Sequence, residues 1–308
     1  MKIPITQSIA WHRLQDDLGE TSFLEQGTGY HYLAILKSTP AGNYLYLPYG
    51  PIFEGKSGLE NSLKSLRHLA DKHQAIFTRV EPQSREFLDH LPTIAKKSTD
   101  LNPAETWLLD LTGKDEDLKA KLPSRLLRYY KSASKKGLTI EASHNSDDIH
   151  YLLDLQQALA RAKGISTFSK NYLETELKQP FATLYLVRLE PTKEVIAAGL
   201  VFDDKDTRYN LQGAQSDEGR RLHATGILTV QLILDAKEKG LKTFDFWGIA
   251  PEGAPSTHPW AGFTGFKKTF AGQEAKYSGT YDLVYHPHKY RLYSLMRFIN
   301  RKSRKTKT

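Results

Sequence analysis

The sequence contains no cysteine. That excludes disulfides, a thiolate nucleophile and cysteine-held zinc or iron–sulfur centres. Long apolar runs are missing too: none approaches the ~20 residues needed to cross a bilayer, and Met1-Lys2-Ile3-Pro4 leads into a polar segment instead of the apolar core of a secretory signal. The expectation is a soluble protein that stays in the cytoplasm. Acidic residues are absent from one region. From His286 onward there are eight Lys/Arg and no Asp/Glu, and removing those eight from the total of 43 leaves 35 basic residues against 35 acidic ones in the rest. The body is neutral, and the net charge of +8 sits in the tail. Tyr290, Leu292, Tyr293, Leu295, Met296, Phe298 and Ile299 precede the most basic residues. This end reads either as a helix carrying cations toward anionic lipid or RNA, or as a solvated, frayed terminus.

What is present is a globular composition, 39% hydrophobic and 25% charged over 308 residues, with room for two cores. Strand and helix patterns alternate, and one order occurs twice. The first stretch has strands at 30–36 and 44–47, the turn Pro48-Tyr49-Gly50-Pro51, a helix over 59–72 and a strand at 75–80. Leu59, Leu63, Leu66, Leu69 and Ala70 share one face of that helix. The second stretch has strands at 183–189, 195–202 and 209–211, the turn Gln212-Gly213-Ala214, a helix over 224–239 and a strand at 243–247. Such a repeat predicts a duplicated α/β module. Asn102-Pro103 marks a linker before a strand at 106–111, and a helix over about 116–136 opens the second module. That helix carries Lys121, Arg125, Arg128, Lys131, Lys135 and Lys136 with no acid between them. Spacings of three and four put most of these on one face, which suits a polyanion such as a nucleotide diphosphate, a lipid-linked pyrophosphate or a tRNA backbone. The plainer alternative is a solvated surface helix.

Gly50-Pro51-Ile52-Phe53-Glu54-Gly55-Lys56-Ser57 satisfies the phosphate-loop pattern. Glu54, however, would set a carboxylate beside the phosphates, and no later strand ends in the paired acid that organises magnesium. A tight turn followed by a helix start is the better reading. Neither HExxH nor GxSxG occurs, and no metal is expected. Between Tyr209 and Phe270 the chain is richest. Arg220-Arg221-Leu222-His223-Ala224-Thr225-Gly226 precedes a helix where acyl-coenzyme A enzymes hold pyrophosphate, but the glycine spacing is degraded. Phe244-Asp245-Phe246-Trp247-Gly248-Ile249 and Gly265-Phe266-Lys267-Lys268 follow. An aromatic strand ending in glycine, then a lysine on a glycine-flanked turn, would hold a cation near an acyl group; a core strand with a surface lysine pair is the alternative.

At these residues the sequence resembles the Fem family of peptidoglycan bridge-forming aminoacyltransferases. The resemblance is carried by Thr6-Gln7-Ser8 with Trp11, Gly50-Pro51-Ile52, Arg79-Val80-Glu81-Pro82, Leu109-Asp110-Leu111, Phe244-Asp245-Phe246-Trp247-Gly248-Ile249 and Phe266-Lys267-Lys268. It implies two tandem acetyltransferase-like domains with mixed sheets flanked by helices, residues 1–105 with 280–308 and residues 106–279, and no long helical arm. It implies aminoacyl-tRNA as co-substrate, no bound cofactor, and a lipid- or nucleotide-linked peptidoglycan precursor as acceptor. Arg13 falls where armless members have a lysine contacting the precursor diphosphate, Glu81 where an aspartate lies near the acceptor amine, and Tyr172 where a tyrosine binds precursor. Phe168 stands where an arginine is expected, and Leu211 near an expected tyrosine; Lys170 or the basic residues Arg125, Arg128, Lys131 and Lys135 are the candidates to compensate. Phe266 and Lys267 match the pair at the aminoacyl-ester end of the channel.

The expected mechanism has Lys267 stabilising an oxyanion and Glu81 orienting the incoming ammonium, in a cleft between the two modules. The competing readings are an acyl-coenzyme A N-acyltransferase of the same fold and a non-enzymatic binder of anionic envelope precursors, with peripheral contact at the inner face of the membrane through the basic tail.

Overall fold

The computed structural model describes residues 1–163, 167–190 and 192–305, without the side chains of Ala162, Lys163 and residues 300–305. The most basic part of the tail, from Arg301 on, therefore has no described side chains. The chain folds as two compact units, Met1–Ala104 with Lys276–Thr308, and Glu105–Ala275.

The first unit is built on a sheet in the order Ser22–Gly27, Tyr30–Thr39, Gly42–Leu47, Ala75–Val80, Tyr281–Val284 and Ala95–Lys97, with Ile52–Phe53 paired to Tyr30–Thr39. Gly42–Leu47 and Ala75–Val80 run parallel, joined by the helix Gly55–Lys72. That helix turns Leu59, Leu66, Leu69 and Ala70 into the core, with Leu63 packed against its edge, and each leucine so buried contributes about 1.5–3 kcal/mol. Glu54 and Gly55 start the helix without a side-chain cap, so the phosphate-loop pattern is a turn into a helix.

The C-terminal strand Tyr281–Val284 lies between Ala75–Val80 and Ala95–Lys97, antiparallel to both. Its Asp282 faces Arg79 in a two-pronged pair, Nε to Oδ1 at 2.7 Å and Nη2 to Oδ2 at 2.8 Å, with both side chains almost fully buried. Tyr290, on the final helix Pro287–Lys305, adds a third hydrogen bond to Asp282 at 2.8 Å. Satisfying every prong is what allows two charges to sit in a core.

In the second unit the sheet order is Gln273–Lys276, Glu105–Asp110, Thr243–Gly248, Thr207–Gln215, Glu194–Asp203, Ala182–Leu189 and Leu138–Ser143. Again one parallel pair, Thr207–Gln215 with Thr243–Gly248, is joined by a helix, Ala224–Glu238. The expected repeat of strand, helix and parallel strand is thus present in both units. Helix Ala224–Glu238 is buried on most of its circumference, between the sheet and the helix Ser124–Lys131. Gly226 is where the two helices approach most tightly: a Cβ there would lie 2.7 Å from Leu126 Cδ2.

Two local expectations fail. The single helix over 116–136 is three pieces, Asp115–Lys121, Ser124–Lys131 and the 3-10 turn Ser134–Lys136. Pro123 supplies no amide hydrogen and forces Leu122 into extended geometry, ψ 143°, which ends the first piece. Gln212-Gly213-Ala214 is not a turn but the continuation of Thr207–Gln215, still paired with Glu194–Asp203.

Replacing Asp282 with alanine strands a buried guanidinium and should cost about 3–5 kcal/mol. Urea unfolding measures this; a loss below about 1 kcal/mol would show that the pair does not anchor the returning strand.

Candidate active site

Strand Thr243–Gly248 sends Phe244 and Phe246 into the core, where their rings meet at 4.8 Å. Asp245 faces the other way yet is only 4% exposed. The parallel register with Thr207–Gln215 covers only Thr207, Arg208 and Tyr209 against Thr243, Phe244 and Asp245. Past that point the strands no longer pair, and the register with Glu105–Asp110 shifts between Asp245 and Gly248. Trp247 takes a positive φ of 64° there, a conformation that costs a bulky residue on the order of 1–3 kcal/mol. Asp245 holds the bend. Its Oδ1 accepts the Trp247 amide at 2.7 Å and the Thr106 hydroxyl.

The bend is followed by the Gly248 carbonyl, which accepts Lys267 Nζ at 2.6 Å. Lys267 is the last residue of the helix Ala261–Lys267, so it sits at a helix end and not on the expected turn. Thr264, one turn earlier, donates to the Trp260 carbonyl and accepts the Ala250 amide, both at 2.8 Å, tying this helix to the strand's exit. Phe266 packs edge-on against Phe270 at 5.5 Å, and Phe270 against Phe246 at 4.8 Å. Phe266 therefore fixes the helix on the core while Lys267 reaches the carbonyl. Burial lowers the Lys267 pKa from 10.5 to about 8, partly opposed by the Asp245 charge. An ammonium has three N–H donors. With one on Gly248, this half-buried cation would interact with an anion more strongly than an ammonium in water does.

The other sequence candidates fall in separate neighbourhoods. In the first unit the quoted motifs converge. Gln7 Nε2 donates to the carbonyls of Pro48 at 2.7 Å and Leu33 at 3.2 Å, and its Oε1 accepts the Leu33 amide at 2.8 Å. A Cβ at Gly50 would lie 2.4 Å from Gln7 Oε1 and so displace the amide that holds Pro48 and Leu33. The Gly50 carbonyl accepts the Glu81 amide at 2.9 Å. Glu81, 3% exposed, accepts five hydrogen bonds: Oε1 from the Thr280 hydroxyl and the amides of Leu101 and Asn102, Oε2 from the Tyr46 hydroxyl and Asn102 Nδ2. Burial, then the Glu81 charge, push the Tyr46 pKa well up, so Tyr46 stays a donor. Arg13 is exposed on the helix Ile9–Asp17.

In the second unit Tyr172 lies on Lys170–Leu177 with its ring stacked on Phe168 at 5.2 Å. Its phenol is hydrogen-bonded to Glu176, whose pKa burial raises to about 8 against the lowering effect of Tyr172 and Gln212. Lys170 pairs with Glu174 at 3.4 Å on the surface. Arg125, Arg128, Lys131 and Lys135 are all exposed, whereas Lys121 pairs with Asp110 at 3.4 Å. Beside them Tyr129 stacks flat on His223 at 4.5 Å. Sequence reasoning gave no role to Asp245, Thr264, Asn102 or Thr280. Asp245 alone left a signal, a carboxylate inside an aromatic strand. Among the described residues no cluster of His, Asp and Glu suits a metal ion.

Residues 188–297 match the FemAB family. Among solved structures FemX is similar over 94% of this chain and 94% of its own, with a TM-score of 0.79 at 17% identity. L-PGS from Bacillus licheniformis matches over 98% of this chain and 99% of its own, TM-score 0.59 at 13% identity. A tandem GNAT protein from the clavulanic acid biosynthesis pathway matches over 85% and 82%, TM-score 0.54 at 13% identity. At such identities the likeness establishes the fold, two tandem acetyltransferase-like α/β units. No curated protein sequence matches the chain. The FemAB match bears out the Fem-family resemblance and supports a transferase.

Lys267 should titrate near pH 8, observed by NMR of its side-chain methylene, and Asp245→Asn should lower that midpoint because it removes the charge that raises it. A midpoint near the ordinary ~10.4 would mean a solvated ammonium. The folded pKa is depressed, so between about pH 8 and the unfolded value the unfolded chain binds more protons and stability rises with pH. Below about pH 8 the burial cost is fully present, and Lys267→Met should not lower the melting temperature at neutral pH.

Proposed function

Starting from the FemAB match over residues 188–297, we propose that the chain is an aminoacyltransferase that moves an amino acid from aminoacyl-tRNA to the stem-peptide amine of a peptidoglycan precursor. One observation carries the reading: a half-buried lysine of lowered pKa, held on the Gly248 carbonyl where two parallel strands part.

The acceptor must first lose a proton from its ammonium form. The amine lone pair then attacks the ester carbonyl, a C–N bond forms, and the carbonyl oxygen takes negative charge. Collapse breaks the C–O bond to the ribose; the leaving oxygen takes up a proton, and the new amide nitrogen gives one up to solvent. Lys267 stabilises the oxyanion electrostatically, and with a pKa of about 8 it is suited to hand a proton to the departing ribose oxygen and regain it from solvent. The ester is already activated, so positioning supplies much of the rate, and aminoacyl-tRNA is the only co-substrate the scheme needs.

Glu81 acts in this reading as a fixed negative charge that orients the ammonium, not as the base. Its two oxygens offer about four lone-pair sites, and these already accept five hydrogen bonds. Arg13 supplies a cation for the precursor diphosphate, and the Phe168–Tyr172 ring pair with Lys170 the remaining precursor contacts. The exposed Arg125, Arg128, Lys131 and Lys135 serve the tRNA backbone. A charged-tRNA donor and a precursor carried on lipid or nucleotide assign the activity to the cytoplasm, at or near the inner face of the membrane.

The coenzyme A alternative has less support. At the start of Ala224–Glu238 the Thr225 amide already donates to Gln215 Oε1 at 3.3 Å, and the capping residue His223 is stacked under Tyr129. One of the amides that would hold a pyrophosphate, that of Thr225, is thus already engaged by the chain's own Gln215.

The test is incubation of purified precursor with a mixed pool of charged tRNA, read by mass spectrometry. Wild-type protein should add one residue, and Lys267→Met should reduce the rate at least about 100-fold with its melting temperature kept. Near-normal turnover in that variant removes Lys267 from the chemistry. Binding of coenzyme A in place of charged tRNA would transfer the reading to the acyl-coenzyme A class.

A further inference from the structure

The final helix, Pro287–Lys305, has two unlike faces. Its inner face is committed to the first unit: Tyr290 and Tyr293 pack on Phe77 at 5.2 and 4.8 Å, Tyr293 meets Tyr44 at 5.8 Å, and the Tyr290 hydroxyl donates to Asp282. These contacts fix which way the rest of the helix points. On the outer side Leu292, Leu295, Phe298 and Ile299 are 50%, 56%, 55% and 52% exposed. Steps of three and four residues keep them on one strip at about 3.6 residues per turn. Lys289 and Arg291 are exposed beside it. No acid occurs anywhere from His286 to the C-terminus, where the eight Lys/Arg lie.

Three occupants compete for such a face. A second copy of the chain would cover the apolar strip but would bring the two cationic segments together. RNA would neutralise the cations and leave leucine and isoleucine against phosphate and sugar. An anionic bilayer satisfies both features at once, because apolar side chains enter the acyl boundary while Lys and Arg stay at the phosphates. We propose that the outer face of Pro287–Lys305 is a membrane-binding surface that lies in the interface of an anionic leaflet, with the apolar strip Leu292, Leu295, Phe298 and Ile299 as the inserting edge. The assignment rests on this helix alone and stands whether or not the chain transfers amino acids.

It refines what the sequence offered. The sequence pointed to an apolar series followed by a basic tail; the structure adds that Tyr290 and Tyr293 pack inward while Leu292, Leu295, Phe298 and Ile299 stay half-exposed. Charge attracts the helix to the leaflet, and the strip is what makes the contact salt-resistant.

The experiment is co-sedimentation of the full chain with vesicles of phosphatidylcholine alone and of phosphatidylcholine mixed with phosphatidylglycerol, for wild type and for the double variant Leu292→Gln, Leu295→Gln. Both positions are half-exposed and off the tyrosine face, so the variant should melt like the wild type. Wild-type protein should bind the mixed vesicles, and the double variant should bind them at least about tenfold more weakly. Three results overturn the proposal: no wild-type binding to mixed vesicles, equal binding by the variant, or a wild-type dimer that the variant dissociates. The last would assign the face to a second copy. Unchanged tRNA-dependent transfer by the double variant to a soluble nucleotide-linked acceptor keeps the two proposals separable.

Discussion

Strands Thr207–Gln215 and Thr243–Gly248 lie side by side for three residues and then separate, and the chemistry assigned to the second unit follows from how the chain manages that separation. A strand that leaves its neighbour exposes backbone groups that must find other partners. Here a carboxylate does part of that work: Asp245 takes the Trp247 amide and the Thr106 hydroxyl, which stabilises a left-handed residue inside a strand. The next carbonyl, Gly248, takes Lys267. Bend, lysine and carboxylate form one device. Asp245 holds the geometry that brings Gly248 to Lys267, and its charge keeps the half-buried ammonium protonated more than burial alone would allow.

The first unit uses the same economy with a different outcome. Gln7, Gly50 and Glu81 come from three distant parts of the sequence and are drawn into one neighbourhood, Gln7 bonding the carbonyl of Pro48 and the backbone of Leu33, and the Gly50 carbonyl accepting the Glu81 amide. Glu81 accepts from Tyr46, Asn102 and Thr280 as well as two backbone amides. A carboxylate so surrounded is fixed in position. The contrast with Lys267 is a difference in partner number: the ammonium is held by one carbonyl, the carboxylate by five donors.

How much of this was legible in the sequence depends on the range of the interaction. Ala75–Val80 and the helix Ala224–Glu238 were readable because apolar periodicity is local. The bases at helical spacing over 116–136 read as one helix, but the stretch contains Pro123, and the helix breaks where proline chemistry says it must. Gln212-Gly213-Ala214 looked like a turn because glycine usually marks one, yet the pairing with Glu194–Asp203 carries the strand through it. Lys267 and Glu81 were named from motif resemblance. Asn102 and Thr280, which hold Glu81, and Thr264, which ties the lysine-bearing helix to the strand's exit, were not, since nothing in a sequence says which distant group a side chain will meet.

Lys267 and the outer face of the final helix are both places where the fold departs from its own optimum. A half-buried ammonium of lowered pKa and four half-exposed apolar side chains each cost free energy in the isolated protein. Natural chains sit just above the stability they need, so costs of this kind persist where function demands them. The Arg79–Asp282 pair belongs to the opposite class, because all its prongs are satisfied and no ligand is needed to explain it. Sorting charged and apolar groups by whether the fold already satisfies them separates scaffold from site more sharply than exposure does: Glu81 is as buried as any core residue, and the exposed Arg220 and Arg221 are already neutralised by Asp217 and Glu218. By that criterion Lys267, held by one carbonyl and lowered in pKa, belongs with the groups whose environment the fold leaves unfinished, and in the proposed reaction the partner that completes it is a developing negative charge on a substrate oxygen.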